Sequence, residues 1–239
     1  MQGFPGTGKT TLGVALLDAL LNDVCMVCGP SNASVDNLTS RFASTVLPRL
    51  TSAGDFHLVR VVAAERVKDG KLDPLDGKYL FENWVTKQCG WGKNKKDKRS
   101  EWWIERGSEL VNVIAATLAM SASEKMYAAG RWASNVLIDE AAQATEPESI
   151  GPLGVVTTDP NDGRMILLGD PMQLPPVVKS AAASSYGFDT SLMKRLSSVS
   201  GIDMYMLQEQ HRMIPSISRF PNKAFYHGRL IDSLGAQKQ

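Results

Sequence analysis

An α/β fold, a parallel sheet with helices on both faces, is predicted by two features of the sequence. Short apolar segments alternate with helical stretches, and the first helix opens directly on a glycine-rich phosphate-binding sequence. The apolar segments are residues 24–28, 58–62, 111–115, 135–138 and 165–168. They are apolar at nearly every position rather than at every second one, as expected of strands buried on both faces. The first helical pattern runs through Leu12, Leu16 and Leu20. A second follows a Gly29-Pro30-Ser31-Asn32 turn and continues through Leu38 and Phe42, with Asn32 or Ser34 as the expected cap.

The composition excludes several classes. With 26 Lys+Arg against 25 Asp+Glu in 239 residues, no global field attracts nucleic acid. Any such affinity must come from local patches and loop geometry. Three cysteines do not make a disulfide framework, and the Cys25/Cys28 C-x-x-C lies in an apolar run without a second pair or a nearby His. It reads as two buried strand thiols rather than a metal or redox site. No apolar run reaches the roughly 20 residues that span a bilayer, and the start lacks the apolar core of a signal peptide. A soluble intracellular protein, cytoplasmic or nuclear, is expected.

Gly3-Phe4-Pro5-Gly6-Thr7-Gly8-Lys9-Thr10 fulfils the phosphate-loop pattern G-x-x-x-x-G-K-S/T. Glycines let the backbone wrap phosphate oxygens, and the helix that follows points its N–H groups at them. Lys9 reaches the β- and γ-phosphates and the Thr10 hydroxyl holds Mg²⁺. Gly3, Pro5, Gly6, Thr7, Gly8, Lys9, Thr10 and Thr11 are therefore the candidate nucleotide contacts. A phosphate loop normally follows a strand, but only Met1 and Gln2 precede Gly3, so that strand is expected to be missing.

The apolar segment 135–138 ends in Asp139-Glu140. In a phosphate-loop protein this places Asp139 at the strand's carboxyl end as a Mg²⁺ ligand and Glu140 as the base for the attacking water. The segment 165–168 is followed by Gly169-Asp170 and then Gln173, with prolines on either side that stiffen the loop. Gln173 suits a sensor of the γ-phosphate or its attacking water.

Together these segments resemble superfamily 1 helicases, in particular the up-frameshift and senataxin-like branch. Gln2 to Thr10 is similar to the family's Q-G-P-P-G-T-G-K-T, with Phe4 at its first proline, an unconstrained position. Gly29 to Leu38 resembles motif Ia and Ile114 to Thr117 resembles motif Ic. Ile138 to Glu148 is similar to motif II and Leu168 to Pro176 to motif III. Gln210-His211-Arg212-Met213 and the stretch to Leu230 resemble the Q-Y-R-M segment.

The resemblance implies a RecA-like phosphate-loop NTPase lobe, with ATP and Mg²⁺ as cofactors and single-stranded RNA or DNA as partner. It implies 5′-to-3′ movement. By it, Arg212 stabilises transition-state charge on the γ-phosphate, His211 stands where a tyrosine stacks on adenine, and Pro30, Ser31, Asn32 and Thr117 touch the nucleic-acid backbone. Residues 1–239 are expected to be the first lobe, cut short at both ends, with the second lobe supplied in cis by a longer product. A degenerate stand-alone nucleotide-binding module and a small-molecule kinase remain open as alternatives.

Residues 65–108 differ in composition. They carry Lys93, Lys95, Lys96, Lys98 and Arg99 together with Tyr79, Trp84, Trp91, Trp102 and Trp103. A helical insert is expected there, its tryptophans packed inside and its lysines solvated. The resemblance also allows it to be a protrusion that grips the strand.

Overall fold

The structure, a computed structural model, describes residues 1–53, 56–68, 78–89, 102, 108–128, 133–156, 163–199, 202 and 204–237. Its centre is a five-stranded parallel sheet in the order β3–β4–β2–β5–β6. These strands are β2 (Cys25–Gly29), β3 (Leu58–Val61), β4 (Val113–Thr117), β5 (Asn135–Ile138) and β6 (Arg164–Leu167). Each coincides with a predicted apolar segment to within two residues.

Side chains alternate across these strands, and the alternation defines two cores. Cys25, Val27, Val113, Ala115 and Leu137 point to one face and pack with Val14, Leu17, Val35, Leu38 and Phe42. The last five come from helices α1 (Lys9–Ala19) and α2 (Asn32–Thr45). Met26, Cys28, Ile114, Ala116, Val136 and Ile138 point to the other face, against Phe81, Val85, Leu118, Met126, Ala141 and Met193. Each fully buried large side chain contributes about 1.5–3 kcal/mol. Covering both faces is what makes such uniformly apolar strands stable here.

The strand expected to be missing is present as a two-residue stub, β1 (Gln2–Gly3). It lies between the extension of β6 and a short strand, β7 (Met206–Leu207). Gly3 N–H donates to Gly169 O (3.0 Å) on one side and Gln2 N–H to Tyr205 O (2.7 Å) on the other. Two residues are too few to show a period, so the sequence pattern could not reveal it. A separate parallel pair, β8 (Glu209–Gln210) and β9 (Ile231–Asp232), is joined by the helix Pro215–Phe225. This βαβ unit meets the phosphate loop through a third small core of Phe4, Tyr226 and Leu230, with Met206 and Met213 against it.

The cap of α2 differs from expectation. Ser31 is the N-cap: its Oγ accepts from Ser34 N–H (3.1 Å), and Ser34 Oγ accepts in return from Ser31 N–H (3.3 Å). Asn32 already has helical geometry and Ser34 is the third helical residue, so the pair forms a reciprocal capping box.

Part of the 65–108 segment is described. The helix Phe81–Cys89 buries Phe81 and Val85 in the second core, and Trp84 and Trp102 pack against that core with ring centroids 5.9 Å apart. Trp84 and Trp102 thus pack on the core of the sheet's second face. Trp91, Trp103 and the lysine-rich stretch Lys93, Lys95, Lys96, Lys98 and Arg99 lie outside the described residues.

Cys25 and Cys28 are buried free thiols, as expected of strand residues. Burial pushes Cys25 up to about 11, with Asp23 adding to the rise and Asn135 opposing it. Burial likewise pushes Cys28 up to about 12 against the hydrogen bond from Ser121 and the charge of Arg60. Both are neutral thiols at pH 8, and only the unfolded chain ionises them there. Peptide mapping after alkylation at pH 8 should therefore find both at least roughly 100-fold slower to react in the native protein than in urea. Equal rates would contradict this burial.

Candidate active site

All strands of a parallel sheet end at one edge, and the predicted site residues collect there. The phosphate loop follows β1, the acidic pair follows β5 and the Gln173 loop follows β6. Gly6 and Gly8 both take left-handed backbone conformations (φ 85°). Gly8 precedes α1 without any side-chain cap, so the helix's first N–H groups are left to a ligand. Lys9 Nζ folds back to Gly3 O (2.8 Å), and Thr7 Oγ1 donates to Phe4 O (2.7 Å), which braces the loop from within. Thr10 lies in the first turn of α1 and Thr11 is exposed beside it.

Asp139 is buried at the carboxyl end of β5. Burial, then the negative charge of Glu140, pushes its carboxyl up to about 6, against the Glu140 N–H bond and the charge of Lys9. A cation beside it would favour the ionised form further, so the residue fits a Mg²⁺ ligand. Glu140 has a left-handed backbone (φ 54°, ψ 37°), a strained geometry for a side chain with a Cβ. Gln143 Nε2 donates to its Oε2 (3.2 Å).

The strain is held from both sides. Asp139 N–H donates to Cys28 O (2.9 Å) and Ala141 N–H to Leu168 O (2.8 Å).

Asp170 is 1% exposed and accepts four hydrogen bonds. Gln2 Nε2 (3.1 Å) and Met172 N–H (3.2 Å) reach Oδ1, while Gln173 Nε2 (2.7 Å) and the Tyr226 hydroxyl (2.6 Å) reach Oδ2. Tyr226 also presents its ring edge-on to Phe4, with centroids 4.9 Å apart. Phe4, whose position looked unconstrained in the sequence, is 3% exposed and anchors the loop to the βαβ unit.

His211 and Arg212 reach the same edge. His211 N–H donates to Gly6 O (2.9 Å), and a Cβ built on Gly6 would sit 2.4 Å from Arg212 Cβ. Gln210, fully buried, holds this turn from beneath. Its Oε1 accepts from Arg212 N–H (3.0 Å) and Met213 N–H (2.8 Å), and its Nε2 donates to Met213 O and Asp232 Oδ1 (both 2.5 Å). Ser218 donates to the same Asp232 oxygen (2.7 Å). Arg212 is exposed, and among the described residues it has no ion pair.

A family model described as an AAA domain matches residues 1–99 and 85–181, and a second of the same description matches 188–239. Helicase SEN1 of Saccharomyces cerevisiae is 44% identical over 333 aligned residues, covering 98% of this chain and 15% of that protein. Regulator of nonsense transcripts 1 of Dictyostelium discoideum is 30% identical, covering 98% of this chain and 18% of that protein.

The chain belongs to the AAA-domain family, in the up-frameshift and senataxin-like branch of superfamily 1 helicases.

It spans less than a fifth of the length of these two relatives. A solved arterivirus helicase, nonstructural protein 10 in complex with DNA, matches with a TM-score of 0.55 at 15% identity. That match covers 98% of this chain and 41% of the viral one, and it establishes the RecA-like fold of this helicase-family ATPase domain.

The residues that the helicase resemblance assigns to nucleic acid also lie at the carboxyl edge, two strands away from the phosphate loop's acid pair or nearer. Gly29 and Thr117 are register partners on β2 and β4, which sets Pro30, Ser31 and Asn32 beside Thr117. Three of the four have structural duties as well. Ser31 caps α2, Thr117 Oγ1 caps the helix Leu118–Ser121, and Asn32 Oδ1 accepts from Arg60 (3.0 Å). Arg60 is 2% exposed and pairs with Asp36 (2.9 Å), so the motif Ia helix is locked to the sheet edge. Among the described residues no helix is long and apolar enough to cross a membrane.

Sequence reading missed Tyr226, Gln143 and the clamp by Gln210 as site residues. Their contacts join segments distant in sequence or depend on a turn's exact path, so no local period marks them.

Gly6 supplies a direct test of this geometry. Gly6→Ala forces a Cβ into a left-handed position, costing roughly 1–2 kcal/mol, and pushes the Arg212 backbone off the loop. Urea unfolding should show that loss, and nucleotide affinity should fall with it. Unchanged stability and affinity would mean that Arg212 does not pack on Gly6.

Proposed function

We propose that this domain binds ATP with Mg²⁺ and hydrolyses it, as the first ATP-binding lobe of a helicase moving 5′ to 3′ on single-stranded RNA or DNA. The observation that carries this reading is the closure of the His211–Arg212 turn onto Gly6. A phosphate loop and an acidic pair make a nucleotide site. A cationic side chain brought to the loop from a separate βαβ unit adds what charge stabilisation requires.

In this account Lys9 and the N–H groups of residues 8–11 bind phosphate oxygens, and Thr10 and Asp139 hold the metal. Mg²⁺, when bound, neutralises charge on the β- and γ-phosphates. Glu140 takes the proton of the attacking water; the Gln143 bond to Oε2 aims the carboxylate. Gln173 orients that water, and Arg212 meets charge developing on the transferred phosphoryl oxygens. His211, exposed at the loop, stacks on the adenine. Pro30, Ser31, Asn32 and Thr117 line the edge that faces the strand.

The second lobe is supplied in cis by a longer product, in keeping with the small share of the relatives that this chain covers. Gripping and stepping along a strand require both lobes. An intracellular site of action agrees with the buried free thiols and with relatives named as a helicase and as a regulator of nonsense transcripts.

In the full natural-length protein, Glu140→Gln should bind ATP normally and lose about 10²–10⁴-fold in strand-stimulated turnover. Lys9→Ala should lose both nucleotide binding and turnover. Phosphate release with single-stranded RNA and DNA as separate activators checks both, and near-wild-type turnover in either variant would sink the assignment.

A further inference from the structure

Asp170 joins three pieces of chain that are far apart in sequence: β1, through Gln2; the sensor loop, through Gln173; and the end of the helix Pro215–Phe225, through Tyr226. A carboxylate only accepts hydrogen bonds. Gln173 must therefore turn its NH₂ group toward Asp170, which turns away its carbonyl oxygen, an acceptor without a partner among the described residues. An acceptor is what a water needs while it is aimed at phosphorus.

Both Gln173 Nε2 and the Tyr226 hydroxyl converge on the same oxygen, Oδ2, at 2.7 and 2.6 Å. Tyr226 is 3% exposed, and its ring is fixed by the edge-on contact with Phe4 and by Leu230. Burial, then the bond to Asp170 and its charge, holds the phenol far above its ordinary range, so it stays a donor at any working pH.

We propose that Tyr226 is a positioning residue for Gln173: its hydroxyl fixes the Asp170 carboxylate, which fixes the orientation and reach of the sensor amide. The inference rests on the nucleotide-site reading above. It adds a coupling between two segments that the site reading treats separately. The βαβ unit that delivers Arg212 also sets the aim of Gln173, through a contact spanning 56 residues of sequence. Two groups facing the γ-phosphate are thus placed by one unit, with Phe4 as the bearing between that unit and the phosphate loop.

Tyr226→Phe in the full natural-length protein is the direct test, since it deletes one hydroxyl and keeps the ring. The expected result is a roughly tenfold lower kcat for ATP, a KM within about twofold and a melting temperature lowered by only the few degrees that one lost buried hydrogen bond costs. The preference for a non-hydrolysable ATP analogue over ADP should shrink by a similar factor, and adding Tyr226→Phe to Gln173→Ala should cause no further loss. Asp170→Asn reaches the same end by a second route, because an amide cannot accept on both of its sides.

A wild-type protein that neither hydrolyses ATP nor distinguishes the analogue from ADP would overturn the nucleotide-site reading and this inference together. A wild-type protein that does both, beside a Tyr226→Phe variant equal to it, would overturn the inference alone. So would losses from Tyr226→Phe and Gln173→Ala that multiply.

Discussion

Parallel pairing is the constraint from which the rest follows. Because β2 to β6 all run the same way, every loop leaving a strand's carboxyl end emerges at one edge. The short β1 is inserted between β6 and β7 in the same direction, which brings the phosphate loop to that edge too. The sheet is held by burying apolar strands on both faces, and this burial is insensitive to what the loops do. Loops can then carry strained or polar geometry, such as the left-handed Glu140, without unsettling the frame.

Polar contacts then fix what apolar packing alone leaves loose. Asp170 ties the Gln173 loop to β1 and Tyr226, Gln210 holds the turn that carries Arg212, and Arg60 locks α2 to the sheet. All three residues are 2% exposed or less, and each side chain is satisfied by several partners. A buried polar group with its partners in place specifies one geometry, because any other arrangement leaves donors or acceptors unpaired. The candidate nucleotide edge is therefore built from directional bonds on a non-directional frame.

The strands were legible in the sequence because burial on both faces leaves a mark that one chain can show, an apolar run such as 24–28. The phosphate loop and the acidic pair were legible because their chemistry demands fixed residue types at fixed spacing. The stub β1 was not, being too short for any period. Phe4 was not, because the loop's tolerance of many residues says nothing about which side chain faces it from Tyr226. The cap of α2 was displaced to Ser31, since Ser31, Asn32 and Ser34 are all cap-forming types and only backbone geometry separates them. The βαβ unit was read as a motif near the nucleotide, but its bonds from Tyr226 to Asp170 and from Gln210 to Asp232 leave no local trace.

The proposed nucleotide edge is assembled from two sources, the large sheet and the small βαβ unit, meeting at Gly6 and Asp170. A structure of the full natural-length protein with Mg²⁺ and a non-hydrolysable ATP analogue tests this most directly. The γ-phosphate is expected within hydrogen-bond reach of Lys9, Gln173 and Arg212, with the Tyr226–Asp170 bond intact. A bound nucleotide whose γ-phosphate touches the loop but lies beyond the reach of both Gln173 and Arg212 would contradict it.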